Sequence, residues 1–271
     1  MTDLVQLKNG KLYHLEQKGT TQGPIALFVH GLGGNLHFFD AIIALGKLEE
    51  NHNIILIDWE GHGLTPMSNN EKLSVNSLVE DIRYLLDYLE ISKSVPIVLF
   101  GHSLGGLIAT TFAALDEYNV EKLILLGPVQ ALGAAGQEAM RARAQLVERK
   151  GMSSIVNTIC QVGLSEQSKN QNPLCIAFVR QSIMLTNSLG YSNACKALAS
   201  AHDPNYGSIK AATLIISGSD DKTAPPPSIA KLSKAISQTT KVHQVEDIGH
   251  WHAIENPAAV SQAICTFLFN A

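Results

Sequence analysis

Val95-Pro96-Ile97-Val98-Leu99-Phe100-Gly101-His102-Ser103-Leu104-Gly105-Gly106-Leu107 is the stretch on which the fold turns. An apolar run, Val95 to Phe100, leads into a serine with glycine two places away on either side, and Leu107 to Leu115 then has helical character. A serine so placed between a buried strand and a helix has the pattern of a nucleophile elbow. The turn is tight enough to strain the serine backbone, and side chains at positions 101 and 105 would collide, so glycine fits both. Ser103 then projects its Oγ into a cleft. The same residues also suit a plain turn whose serine caps the helix, so the weight falls on what the rest of the chain supplies.

The chain has 271 residues, 45% of them hydrophobic, and a mean hydropathy of +0.09, enough for one large domain or one domain with a modest insertion. Its net charge of -4 and pI near 6.2 provide no basic field, and no Lys/Arg block exceeds pairs such as Arg149-Lys150, so nucleic acid is not an expected partner. Met1 to Gly19 alternates polar and apolar residues without the pattern of a secretory signal, and no apolar run approaches the roughly 20 residues of a membrane span. Cys160, Cys175, Cys195 and Cys265 lack C-x-x-C spacing, which fits reduced thiols in a cytoplasmic enzyme. No oligomeric state can be read from these features.

Asn9-Gly10, flanked by Leu4 to Lys8 and Lys11 to Gln17, predicts an antiparallel hairpin with a two-residue turn. Buried strands are expected at Ile25 to Val29, Ile54 to Ile57, Val95 to Phe100, Lys122 to Leu126 and Thr213 to Ile216, with a weaker one at Val242 to Val245. Helical patterns lie between them, most clearly Leu78, Ile82, Leu85, Leu86 and Leu89 on one apolar stripe. Alternating strand and helix predict an α/β fold with a doubly wound sheet. From Pro128 to Ser208 the alternation lapses into helical character alone. The expected organisation is a core in two parts, residues 1–128 and 209–271, with a helical cap inserted at 129–208.

Ser103 needs an imidazole to take its proton and a carboxylate to orient that imidazole. His250 lies after the last strand, in Asp247-Ile248-Gly249-His250, and His252 is expected to point elsewhere. The acid is Asp220 or Asp221, in Ser217-Gly218-Ser219-Asp220-Asp221 after an apolar strand; one should serve the histidine and the other the turn amides. Backbone amides of Leu32, in His30-Gly31-Leu32-Gly33-Gly34, and of Leu104 suit an oxyanion hole. Asp58, His62 and Gly63 read as a turn bordering the site, and His102 as a neighbour packed beneath it. No cofactor or metal is expected: position 36 is leucine where a dinucleotide fingerprint needs glycine, there is no H-E-x-x-H, and His250-x-His252 alone is too little.

These motifs, in this order, resemble the α/β-hydrolase superfamily over nearly the entire chain. The resemblance implies a mostly parallel eight-stranded sheet flanked by helices, a helical cap over the serine, and Asp221 rather than Asp220 as the acid. Within the superfamily, Arg143 to Met152, Gly190 to Leu198 and Asp221 to Pro226 are similar to 3-oxoadipate enol-lactonases. His102 before the serine and Trp251-His252 depart from that group. The implied activity is hydrolysis of a small ester or lactone, with Arg143, Arg180 and Trp251 as candidate substrate contacts. Acyl transfer, perhydrolysis or C–C hydrolysis on the same residues are the enzymatic alternatives, and a non-catalytic small-molecule receptor is the alternative of another class.

Overall fold

The computed structural model describes residues 2–68, 72–237 and 239–269. Eight strands form one sheet in the order β1-β2-β4-β3-β5-β6-β7-β8. They are β1 (Thr2–Gln6), β2 (Leu12–Gly19), β3 (Ile25–Val29), β4 (Asn53–Asp58), β5 (Ile97–His102), β6 (Val120–Leu126), β7 (Ala212–Gly218) and β8 (Lys241–Val245). β1 and β2, and β2 and β4, run antiparallel, and every other neighbouring pair is parallel. Each expected strand is present.

The central strands read as continuous apolar runs because both faces are covered. Ile25, Leu27 and Val29 of β3 join one hydrophobic cluster, and Ala26 and Phe28 join the other. Helices α1 (Asp40–Leu45), α2 (Val75–Tyr88), α3 (Leu104–Ala114), α9 (Pro226–Ile236), α10 (His252–Glu255) and α11 (Pro257–Phe269) follow core strands. The α2 stripe begins at a capping box in which Ser74 and Ser77 satisfy each other's backbone amides. Between β6 and β7 the regular structure is helical: α4 (Ala134–Lys150), α5 (Val156–Gly163), α6 (Glu166–Gln171), α7 (Pro173–Leu185) and α8 (Ser188–Ala199), with short 3-10 turns. Among the described residues no helix is long and apolar enough to cross a membrane.

The first hairpin differs from its expected form. Ladder pairing stops at Gln6–Leu12, Gly10 donates to the Leu7 carbonyl, and Leu7 donates to the Lys11 carbonyl. The loop is therefore longer than two residues, and Gly10 alone takes the positive φ, at 85°. This longer loop lets Asn9 and Lys11 reach Asp81 on α2. Asp81 accepts from Asn9 Nδ2 at 2.9 Å, Lys11 Nζ at 3.0 Å and the Tyr13 hydroxyl at 2.8 Å, and Lys11 also meets Glu60 at 2.8 Å. Glu60 belongs to the turn after β4, so these buried charges tie the edge hairpin and α2 to the border of the site.

Lys11→Met leaves the buried Asp81 and Glu60 carboxylates without this cation, and loss of one partner of a buried pair costs about 3–5 kcal/mol. Urea unfolding is expected to show a loss of that order, and an unchanged midpoint would refute this role.

Candidate active site

Ser103 stands between β5 and α3 at φ 52° and ψ -117°, in the left-handed half of backbone space. Its side chain makes no capping bond to α3, although it occupies the N-cap position. Crowding holds the turn. A Cβ on Gly101 would lie 2.6 Å from the Gly105 carbonyl oxygen, and one on Gly105 would lie 2.1 Å from the Val29 oxygen at the end of β3.

The Ser103 hydroxyl donates to His250 Nε2 at 2.7 Å, and His250 Nδ1 donates to Asp221 Oδ2 at 2.8 Å. The other Asp221 oxygen accepts from the amides of Thr223 and Ala224, both at 2.8 Å. Burial alone would raise the Asp221 carboxyl, but the charge and hydrogen bond of His250, the nearby His252 and the turn amides outweigh it and hold the group well below the carboxylate range. Asp221 is thus an ionised acceptor, His250 carries its proton on Nδ1, and Nε2 faces the hydroxyl. Such a line lets an imidazole accept the serine proton while its own charge is balanced.

Asp220 does not divide the work as expected: Asp221 binds both histidine and turn amides, while Asp220 Oδ1 accepts from Ser219 Oγ. His252 also departs from expectation. It is fully buried, with Nε2 3.6 Å from the Asp221 oxygen that His250 holds. The short helix α10 turns it back beneath the loop. His102 stacks on Phe38 at 4.0 Å and donates from Nε2 to the His250 carbonyl at 2.9 Å, so it lies beneath the serine as expected. Burial, with His250 and His252 beside it, holds His102 well below its ordinary value. Asp58 accepts from the amides of Leu36 and Leu64 and from His14, which braces the bordering turn.

Leu104 opens α3, where an amide has no partner four residues back. Leu32 sits in the turn after β3, closed by Gly34 donating to Gly31. Leu32, Ser103 and His250 line one cleft, with a cavity of about 100 Å³. Trp251 and Arg143 line it as well. Arg180 does not. The buried stripe of α7 runs through Cys175, Val179 and Ile183, and Arg180 falls off it, exposed and donating to Asn157.

Three contributors have no local sequence signal for their role. Gly127, at φ 50°, ends β6 where a Cβ would lie 2.4 Å from His252 Cε1 and 2.9 Å from Asp221 Oδ2. Glu255 accepts from the amides of Ser165, Gly249 and Trp251, fixing the loop that bears His250. Tyr191 of α8 is buried in the cleft wall, against Gly33. Among the described residues, the one group of three possible metal ligands is His102, His250 and His252, whose ligand atoms lie within 4.8 Å of one another. An ion there would compete with Ser103 and Asp221 for His250.

The sequence profile of the alpha/beta hydrolase fold family matches residues 24–257, and the chain belongs to that family. A 3-oxoadipate enol-lactonase from Acinetobacter baylyi is 26% identical over 98% of this chain and 96% of its own. Among solved structures, a thermophilic esterase from Thermogutta terrifontis is similar with a TM-score of 0.89, at 23% identity over 100% of this chain and 98% of its own. The enol-lactonase from Burkholderia xenovorans gives a TM-score of 0.88, at 24% identity over 98% and 99%.

Gly127→Ala should crowd Asp221 and His252 and also strain a positive-φ position, for a loss of about 1–3 kcal/mol in stability. A matched melting temperature would contradict the steric reading. A second expectation concerns pH. Burial chiefly lowers His30, His62, His102 and His252, so below about pH 6.5 the unfolded chain takes up protons that the folded chain refuses. Stability present above that value is lost as pH falls, and the depressed Asp221 adds a further loss below about pH 4. Melting temperature should decline from about pH 7.5 to about pH 5, and His62→Asn should flatten the slope.

Proposed function

We propose that this chain hydrolyses small carboxylic esters or lactones through an acyl-enzyme, with Ser103 as nucleophile, His250 as general base and acid, and Asp221 as the orienting carboxylate. The observation that carries this reading is the unbroken hydrogen-bonded line from Asp221 through His250 to the Ser103 hydroxyl. The enol-lactonase name of the Acinetobacter baylyi relative supports the ester or lactone class.

Ser103 Oγ attacks the carbonyl carbon as His250 Nε2 takes the hydroxyl proton. The amides of Leu32 and Leu104 receive the developing oxyanion, whose stabilisation by preorganised donors is a large part of such catalysis. Collapse breaks the bond to the leaving oxygen, which takes the proton from His250; from a lactone that oxygen stays tethered. Water then gives its proton to His250 and attacks the acyl carbon, releasing the acid and restoring the serine. Residues 129–208 act as the cap that shapes the cleft. The four unpaired cysteines suit a reducing, cytoplasmic setting for this activity.

Ser103→Ala should lower ester turnover by roughly three orders of magnitude or more, with melting temperature little changed. Fluorophosphonate labelling should modify Ser103 alone among the serines and vanish in the variant. Near-normal turnover in Ser103→Ala, or rapid labelling with no turnover on a broad ester and lactone panel, would overturn the proposal.

A further inference from the structure

Resting on the hydrolase reading above, we infer that His102 is a positioning residue for the base of the reaction. Its ring fastens the His250 backbone to the residue next to the nucleophile, so hydroxyl and imidazole are set by two bonds rather than one.

His102 is the last residue of β5, buried, with its ring stacked on Phe38 at 4.0 Å and 18°. Its Nε2 bonds the His250 carbonyl at 2.9 Å. A carbonyl oxygen only accepts, so Nε2 carries the proton. Burial, with His250 and His252 beside it, holds the ring well below the ordinary histidine value and keeps it neutral. Nδ1 is then a bare acceptor, buried and without a hydrogen-bond partner among the described residues. An apolar ring would stack on Phe38 without stranding a nitrogen, and a buried unpaired polar atom is unfavourable. What histidine adds at this position is the one bond to His250.

Residue 250 is thereby held at every polar group. Its N–H donates to the Gly163 carbonyl at 2.7 Å, its carbonyl accepts from His102, Nδ1 donates to Asp221 at 2.8 Å and Nε2 accepts from Ser103 at 2.7 Å. The peptide joining His250 to Trp251 is gripped at both edges, since the Trp251 amide donates to Glu255 at 3.0 Å. Glu255 belongs to the same segment and moves with it, whereas His102 is anchored in the sheet. His102 and Ser103 are consecutive, and they reach residue 250 through its backbone and its side chain respectively. One bond leaves the imidazole free to swing about the hydroxyl; two close a ring that fixes distance and direction together, and misplacement by an ångström is costly to a reaction. On its other side the His102 ring meets the turn that holds Leu32, where a Cβ on Gly31 would lie 2.7 Å from Nδ1 and 2.9 Å from Ser103 Cβ.

His102→Phe keeps the stack and removes the bond, and His102→Gln restores a donor of similar reach; His102→Leu replaces the phenylalanine variant if that one does not fold. With p-nitrophenyl acetate, kcat/KM should fall about tenfold or more in His102→Phe while KM stays within about threefold, and His102→Gln should return to within about threefold of wild type. The rate at which a fluorophosphonate labels Ser103, which needs the base but no deacylation, should follow the same order. Amide hydrogen exchange over residues 247–254 should quicken in His102→Phe and regain wild-type protection in His102→Gln. Turnover and labelling within about twofold of wild type in His102→Phe overturn the inference. So does a loss that His102→Gln fails to repair, which would mark the ring as packing alone, and so does exchange that is equal in all three proteins. A wild-type protein that neither hydrolyses the ester nor takes the label counts against the hydrolase reading instead, and exchange then decides the tie to His250 by itself.

Discussion

The left-handed backbone of Ser103 is the constraint on which the site depends. A non-glycine residue held in such a region costs about 1–3 kcal/mol and persists only where its surroundings over-determine it. Here they do. Gly101 and Gly105 admit backbone where no side chain would fit, β3 closes against Gly105, and Pro128 lies against Gly106, where a Cβ would meet it at 2.7 Å. Ser103 N donates to the Leu126 carbonyl, and Val129 N donates to the Ser103 carbonyl. Three parallel strands therefore end around one residue, and its hydroxyl is turned away from the helix it would otherwise cap.

That placement has consequences for charge. Asp221 arrives from the end of β7 and His250 from the loop after β8, so the line to Ser103 crosses segments far apart in sequence. Gly127 leaves the room in which carboxylate and imidazole meet. The other imidazoles packed nearby, His102 and His252, are both lowered by burial, and His252 stands 3.6 Å from the Asp221 oxygen, outside the 2.8 Å bond that His250 makes to it. The pairing thus stays specific to His250 although three histidines crowd the same few ångströms.

The sheet and the hydrogen-bonded line were legible because each rests on a local signal. Buried parallel strands are near-continuous apolar runs, Gly-x-Ser-x-Gly marks a turn, and the Asp220-Asp221 pair and His250 follow strand ends where sites gather, with the family resemblance alone favouring Asp221 of the two. Other features depend on tertiary packing. The Asn9-Gly10 turn lengthened because Asp81, some seventy residues away, draws in Asn9 and Lys11. Arg143 and Arg180 look alike in sequence, and only the phase of α4 and α7 against their neighbours separates a cleft residue from a surface one. Glu255 acts through backbone amides and Tyr191 through a wall contact, roles that depend on how their segments pack rather than on the stretches of sequence in which they stand. His252 shows the limit of local geometry: expected to point elsewhere, it lies with Nε2 3.6 Å from the Asp221 oxygen that His250 holds.

The helices between β6 and β7 do more than roof the cleft. His250 N donates to the Gly163 carbonyl at 2.7 Å, Ser182 Oγ donates to the Gly33 carbonyl at 2.8 Å, and Gly190 meets Gly61 so closely that a Cβ would lie 2.2 Å from its oxygen. Each contact joins the helical segment to a loop at the end of a different strand, and each relies on backbone or a small side chain, which leaves little slack. A lid hinged over the site would need contacts that slide. Here the bonds tie the end of α5 to the His250 loop and α7 to the turn that holds Leu32. In the proposed reaction the base and the oxyanion donors are therefore held from above as well as from below, by helices whose residues also line the cleft.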